Sequence, residues 1–302
     1  MTINDIVRSL PRSNNCRQPI GVGVIPADCY LEPAMYANRK IIDRFGNGKQ
    51  IEVAASTSRG KNPFPKEWRM HAFLVDALPI LNEYLPVKTK EANLPAHRHM
   101  INAIRNSEDP VTLAFVGPLT DLARALEEAP DIETKIEKLA WMGGTFLENG
   151  NVEEPELDGT AEWNAFWDPE AAKTVWDSTI PIDLVALEST NMVPLTLDVR
   201  NKWASERKDL GVDFLGQCYA MVPPLVHFQT NSTYFLWDVL TTATVGRDDF
   251  VKMREVKSIV YKDGASQGKT ELSETGRTVN LVYDVDRDKF FDYITDLARQ
   301  TN

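Results

Sequence analysis

Short apolar runs alternate with amphipathic segments along most of the chain. The runs are rich in Val, Ile and Leu, which is typical of strands buried on both faces, and the segments between them carry apolar residues at helical spacing. Strands are predicted at residues 20–25, 51–54, 111–116, 138–142 and 182–187. Strands that alternate with helices indicate right-handed βαβ crossovers. The predicted fold class is therefore α/β, with a mainly parallel Rossmann-like sheet flanked by helices.

Polar residues collect directly after two of these strands. Gly117 and Pro118 end the strand at 111–116, and a double glycine ends the strand at 138–142. A polar loop then leads to the sequence AEWN, and Asp168 followed by Pro169 predicts the N-cap and first residue of a helix. In open α/β sheets, ligands bind beyond the carboxyl ends of the strands. We therefore expect a binding site at this edge of the sheet.

The two ends of the chain differ from this central pattern. Residues 1–19 are polar and contain two prolines and adjacent asparagines, so we expect them to be disordered. Residues 20–302 are expected to form a single domain. Toward the carboxyl end, residues 255–263 and 278–285 are predicted as an antiparallel strand pair, and Asp286 is predicted to cap the last helix.

Composition narrows the class of protein. The 302 residues carry a net charge of −11 and contain only three cysteines, widely spaced. An acidic chain without a Lys/Arg cluster does not favour binding to nucleic acid or to an anionic membrane. Scattered cysteines and the lack of an apolar signal segment predict a cytoplasmic location without a disulfide framework.

An ordered set of motifs resembles one known family. GPLTDLA, WMGG, AEWNAFWDPEAA and YFLWD, in this order and spacing, resemble the inosine/uridine-preferring nucleoside hydrolases over roughly residues 18–300. The resemblance implies an enzyme that hydrolyses the N-glycosidic bond of ribonucleosides to ribose and base, in purine or pyrimidine salvage. It also implies Ca²⁺ as cofactor and a small-molecule nucleoside as partner, and it leaves open whether the protein is a homo-oligomer.

The resemblance assigns two residues to the metal. Asp238 matches the family's carboxyl-terminal metal ligand, and Thr120 matches the residue whose backbone carbonyl binds the same ion. Read without the family, Asp238 is a helix N-cap and Thr120 is an ordinary first-turn residue.

Five residues match positions that contact the substrate. Glu162 and Asn164 match a pair that binds ribose hydroxyls, and they would point the same way if the segment is extended. Without the family, both would be placed in a solvated loop. Asn151 matches another ribose contact, although its loop is longer than the family pattern. Asp28 stands where an asparagine is usual, and Trp163 is the aromatic residue of AEWN.

The residue at the leaving-base position also differs from the family pattern. Trp237 stands where many relatives carry a histidine that is proposed to protonate the leaving base, and tryptophan has no such proton to give. His227 is the histidine nearest in sequence to Asp238 and is a weaker candidate. The other histidines fall on predicted helices, where a structural or exposed role is expected.

One family motif does not occur in this sequence. The family opens with D-x-D-x-G-x-D-D at the end of its first strand, whereas residues 1–19 contain one carboxylate, Asp5. We therefore expect the family's first strand and helix to be missing, the Ca²⁺ site to be incomplete and hydrolysis to be impaired. The alternatives are a non-catalytic homologue that binds a ribose-like ligand or serves as a subunit, and an incomplete gene product.

Overall fold

One mixed sheet organises the molecule. The computed structural model describes residues 3–9, 17–220 and 234–301. In these segments nine strands form a sheet of order β3-β2-β1-β4-β5-β6-β9-β7-β8. The strands are Ile3–Ser9 (β1), Arg17–Val24 (β2), Val53–Ala55 (β3), Val111–Phe115 (β4), Ile136–Met142 (β5), Ile182–Val185 (β6), Val251–Val260 (β7), Thr270–Leu272 (β8) and Arg277–Val285 (β9).

Helices cover both faces of this sheet. Their bounds are Leu31–Phe45 (α1), His71–Asp76 (α2), Pro79–Asn82 (α3), Ala96–Asn106 (α4), Thr120–Glu128 (α5), Trp163–Trp167 (α6), Pro169–Trp176 (α7), Leu187–Thr190 (α8), Leu197–Ser205 (α9), Leu210–Ala220 (α10), Trp237–Gly246 (α11) and Arg287–Arg299 (α12). Every helix among the described residues is too short or too polar to cross a membrane.

The predicted helix starts are confirmed. Asp168 caps α7, since its side chain accepts a hydrogen bond from the amide of Ala171, and Pro169 is the first helical residue. Asp286 caps α12 in the same way, through the amide of Lys289. Local capping rules therefore suffice to place both helices.

The parallel part of the sheet agrees with the sequence prediction. β2 pairs in parallel with β3, and β4, β5, β6 and β9 follow one another in parallel. All residues of β4 and β6 are buried, as expected for strands covered by helices on both faces. β6 is shorter than predicted, because Leu187–Thr190 turns into α8.

The prediction for the first residues is wrong. Ile3–Ser9 is a strand, β1, and β2 already begins at Arg17, so these parts of 1–19 are ordered. β1 lies between β2 and β4 and is antiparallel to both. Backbone N–H and C=O groups on the facing edges of β2 and β4 need partners, and β1 supplies them. The place in the sheet that we expected to be empty is therefore occupied by β1, which runs antiparallel to both of its neighbours.

The predicted pair near the carboxyl end is confirmed and extends the main sheet. β7 and β9 are antiparallel, and β9 also pairs in parallel with β6. Arg277 at the start of β9 donates hydrogen bonds to the carbonyls of Val175 and Ser178, at 3.2 and 3.0 Å, and to that of Ile180. One guanidinium thus ties β9 to the end of α7 and to the loop that enters β6.

We expect Arg277→Met to lower the free energy of unfolding by about 2–3 kcal/mol, because three partly buried carbonyls lose a charged donor. Urea denaturation with a fixed slope would measure the difference. Arg247→Met is the control, since Arg247 is exposed and its contacts, with Asp249 and the Tyr293 ring, are at the surface. Equal destabilisation by the two variants would contradict this account of Arg277.

Candidate active site

Glu162 is the best-connected residue at the carboxyl edge of the sheet. It is the N-cap of α6 and only 2% exposed. Its Oε2 atom accepts hydrogen bonds from the amides of Gly144, Asn164 and Ala165 at 2.9, 3.0 and 3.2 Å. The carboxylate therefore links the turn after β5 to the start of α6.

Burial dominates the ionisation of Glu162. Removal of the carboxylate from water raises its pKa to about 7, although three backbone amides favour the charged form. Glu162 consequently changes its charge near neutral pH, and at pH 8 it is mainly an anion held by backbone dipoles.

Asn164 lies beside Glu162 but is bonded to the protein in a different way. Its Nδ2 donates to the carbonyl of Met142, the last residue of β5, at 3.0 Å. Glu162 is extended and Asn164 is in the first turn of α6, so the condition that the whole segment is extended is not met at Asn164. Both residues are buried, which also rules out the solvated loop.

Asn151 reaches the same region in spite of its long loop. Its Oδ1 accepts a hydrogen bond from the amide of Trp163 at 3.0 Å, and its own amide donates to the carbonyl of Ala161 at 2.9 Å. Gly150 allows this approach, since a Cβ there would lie 1.9 Å from the carbonyl oxygen of Ala161. The loop insertion therefore leaves Asn151 next to the AEWN segment.

Trp163 is part of an aromatic cluster. Its ring stacks on Phe64 with centroids 5.1 Å apart and meets Trp68 and Phe166 edge-on. The side chain is 7% exposed. Its contact with a sugar stays a prediction, and its described contacts are with other aromatic rings.

Thr120 begins α5, directly beyond β4. Its hydroxyl donates to Oδ2 of Asp168 at 2.7 Å, and both residues are buried. Asp168 follows α6, the helix that Glu162 caps. Thr120 and Glu162 thus lie at the carboxyl edge of the same parallel strands, as we predicted.

Asp238 and Trp237 are the second and first residues of α11, so the reading of Asp238 as an N-cap is wrong. Trp237 packs on Val116, Met142 and Leu187, which lie at or just beyond the carboxyl ends of β4, β5 and β6. This contact places Trp237 at the same edge of the sheet as Glu162.

Three carboxylates interact electrostatically at this edge. Asp238 keeps part of its surface exposed, but protein atoms surround it closely, and this burial, together with the charges of Asp28 and Glu162, raises its pKa to about 7. Asp28 is half-buried in the segment that follows β2. The structure therefore places Asp28 and Glu162 within electrostatic range of Asp238, although the three are far apart in sequence.

Two tyrosines join this group without having been predicted. Burial and the nearby charge of Asp238 raise the pKa of Tyr234, and the same influences act on Tyr219. The Tyr234 ring meets Trp237 edge-on, with centroids 4.7 Å apart. The only sequence signal was the position of Tyr234 one helical turn before Asp238. His227 lies outside the described residues.

The described side chains do not fit a calcium site of the expected kind. Ca²⁺ takes ~6–8 oxygen ligands. Within residues 3–9, 17–220 and 234–301, no group of three or more His, Cys, Asp or Glu side chains is placed to hold a metal ion. The charges of Asp28 and Glu162 add to the effect of burial in raising the pKa of Asp238, and the Ca²⁺ expectation stays a prediction.

A separate surface cavity of about 560 Å³ lies between α4 and α5. It is lined by Thr57, His97, Arg98, Arg124 and Glu128, among others. Arg98 bonds to Glu128, and Arg124 to the hydroxyl of Ser58. The basic and acidic side chains that line the cavity offset one another, so we do not place the candidate active site there.

The fold and the carboxylate group define an α/β protein with an acidic site at the carboxyl edge of its sheet. A family model described as inosine-uridine preferring nucleoside hydrolase matches residues 6–292. The crystal structure of an inosine-uridine preferring nucleoside hydrolase from Bacillus anthracis is 63% identical, with a TM-score of 0.88 over 93% of this chain and 90% of that one. The chain belongs to the inosine/uridine-preferring nucleoside hydrolase family.

More distant proteins share the fold or part of the sequence. A purine-preferring ribonucleoside hydrolase from Gardnerella vaginalis is 22% identical, with a TM-score of 0.72 over 93% of this chain and 91% of that one. The pyrimidine-specific ribonucleoside hydrolase RihB of Escherichia coli O1:K1 is 35% identical over 114 residues, or 38% of this chain. That match spans about a third (34%) of the length of this curated relative.

Proposed function

We propose that this protein hydrolyses the N-glycosidic bond of ribonucleosides, giving ribose and free base, and that its turnover is low. The observation that carries the proposal is the meeting of Asp28, Glu162 and Asp238 at the carboxyl edge of the sheet in a chain of this family. We also propose a role in cytoplasmic nucleoside salvage.

The site suits one part of this reaction. When the C1′–N bond breaks, its electron pair leaves with the base and positive charge develops on the ribose ring. Fixed carboxylates stabilise such charge most when they are ionised and shielded from water. Since the pKa values of Glu162 and Asp238 are both about 7, this stabilisation requires a pH above neutrality.

The other parts of the reaction have weaker support. The sequence lacks the aspartate motif that would take a proton from the attacking water, and such general-base help is typically worth ~10²–10⁴-fold in rate. Trp237 offers no proton to the departing base, so departure relies on stacking or on a base that leaves easily. Both features favour low turnover.

A non-catalytic role is the alternative. The lack of a metal-binding group among the described side chains favours it. In that case the protein binds a ribose-like ligand at Glu162 and Asn164, or serves as a subunit, without breaking the bond.

We expect purified protein to release ribose slowly, and faster from inosine or an activated aryl riboside than from uridine. We also expect Ca²⁺ to bind more weakly than micromolar. A reducing-sugar assay at pH 8 and a calorimetric Ca²⁺ titration measure these quantities, with Asp238→Asn as the inactive comparison. Ribose binding without any release would favour the non-catalytic alternative. Micromolar Ca²⁺ affinity with rapid turnover would contradict the proposed impairment.

A further inference from the structure

A threonine of the β7–β8 hairpin holds the turn that follows β5. The hydroxyl of Thr270 donates to the carbonyl of Thr145 at 2.7 Å and accepts from the amide of the same residue at 2.8 Å. Thr270 and Thr145 are each 1% exposed. One side chain therefore satisfies both backbone groups of a buried residue that lies 125 positions away in the chain.

Gly144, the residue before Thr145, is also in close contact with Thr270. Gly144 has a φ of +69°, a conformation that favours glycine, and a Cβ there would lie 2.9 Å from Thr270 Cγ2 and Oγ1. The carbonyl of Gly144 accepts from the amide of Leu187 at 3.2 Å. Leu187 and Thr270 thus hold the two polar groups of the single peptide unit between Gly144 and Thr145, and Thr270 also holds the next unit through the Thr145 carbonyl.

The amide of Gly144 is one of the three donors to Glu162, at 2.9 Å. The other two donors, Asn164 and Ala165, belong to α6, which Glu162 itself caps, so they move with it. Gly144 is the donor that comes from a separate segment. It consequently anchors the carboxylate to the end of β5.

The hairpin contacts α6 as well as the turn at 143–145. Gly268, which precedes β8, lies so close to Phe166 that a Cβ there would be 2.5 Å from its Cα. The hairpin therefore packs against both segments that donate to Glu162. Thr270 contributes the hydrogen bonds, and Gly268 contributes the close approach.

We propose that Thr270 is a positioning residue for the candidate active site: it fixes the turn at 143–145 so that the Gly144 amide stays bonded to Glu162. A role of Thr270 in ligand binding rests on the proposed function. Its effect on the hydrogen bond between Gly144 and Glu162 is independent of that function. Loss of the amide would leave the buried carboxylate less stabilised and thus harder to ionise. The charge of Glu162 in turn contributes to the raised pKa of Asp238.

The test compares Thr270→Val, which keeps the shape and loses both hydrogen bonds, with Thr270→Ser, which keeps the hydroxyl. Glu162 is titrated in the ligand-free protein by NMR of ¹³C-labelled glutamate carboxyls, with Glu162→Gln to assign the signal. We expect the midpoint to rise by about one pH unit in Thr270→Val, since a charged hydrogen bond is weakened, and to stay near the wild-type value in Thr270→Ser. Thr275→Val, in the exposed turn between β8 and β9, is the control for nonspecific effects.

Ribose affinity is measured on the same variants from pH 6 to 9. We expect the rise of affinity with pH to shift upward in Thr270→Val only. Equal Glu162 midpoints in wild type and Thr270→Val would overturn the positioning role. If no variant binds ribose but the midpoints still differ, the proposed function fails and the positioning role stands. Should Thr270→Val not fold, Thr270→Ala gives the same comparison.

Discussion

Glu162→Gln should raise the free energy of unfolding at pH 8 while removing most of the affinity for ribose. Glutamine keeps a carbonyl-type oxygen that can accept from Gly144, Asn164 and Ala165, so the N-cap survives. It removes a buried charge that burial disfavours. Stability and function are therefore expected to change in opposite directions, which a purely structural N-cap would not do.

The pH dependence of the free energy of unfolding follows from the direction in which burial changes the pKa of Glu162. The folded pKa of Glu162 is about 7, raised from 4.5 by burial. Between these values the native state holds a proton that the unfolded state has lost, so the wild type loses stability as pH rises from about 4.5 to about 7. The loss is on the order of 3 kcal/mol and is complete above pH 7. Glu162→Gln lacks this slope.

Chemical denaturation of both proteins at pH 5 and pH 8 measures the difference, and calorimetry measures the ribose affinity. The wild type and the variant should converge at pH 5 and diverge at pH 8. Glu154→Gln, an exposed substitution in the nearby loop, should change neither quantity. A variant that is less stable than the wild type at both pH values would show that Glu162 is mainly a structural cap.

Periodicity and local capping rules recovered most of the parallel sheet. The strands at 111–116 and 138–142 were evident because they are apolar throughout and end at glycine or proline. Asp168 and Pro169 fixed the start of α7 because capping depends on neighbouring residues only. These features are local, and a single sequence contains all the information that they need.

The sequence-based prediction failed where the structure depends on pairing between residues far apart in the chain. β1 is a short, mixed-polarity segment that becomes a strand because β2 and β4 leave a place between them. Without the family resemblance, Glu162 would have been placed in a solvated loop, since nothing near it in sequence shows that the Gly144 amide reaches it. Tyr234 was missed because its position depends on how residues 234–236 pair with 193–195.

Replacing residues 1–19 with a family-type segment that carries D-x-D-x-G-x-D-D should produce the largest gain in activity. The motif adds carboxylates at the edge where Asp28, Glu162 and Asp238 already interact. A bound divalent cation would then offset the repulsion that now adds to burial in raising the pKa of Asp238. We expect Ca²⁺ affinity to reach the micromolar range, because affinity rises with the number of charged ligands.

The gain in ribose release from inosine should be about 10²–10⁴-fold, the usual range for a general base. The matched control is the same replacement with every motif aspartate changed to asparagine, which preserves the length and the strand but not the charge. If the control is as active as the replacement, the benefit comes from strand pairing in place of β1 and not from the carboxylates. If neither exceeds the original chain, Asp28 and Glu162 already supply what the motif would provide, and the proposed impairment is wrong.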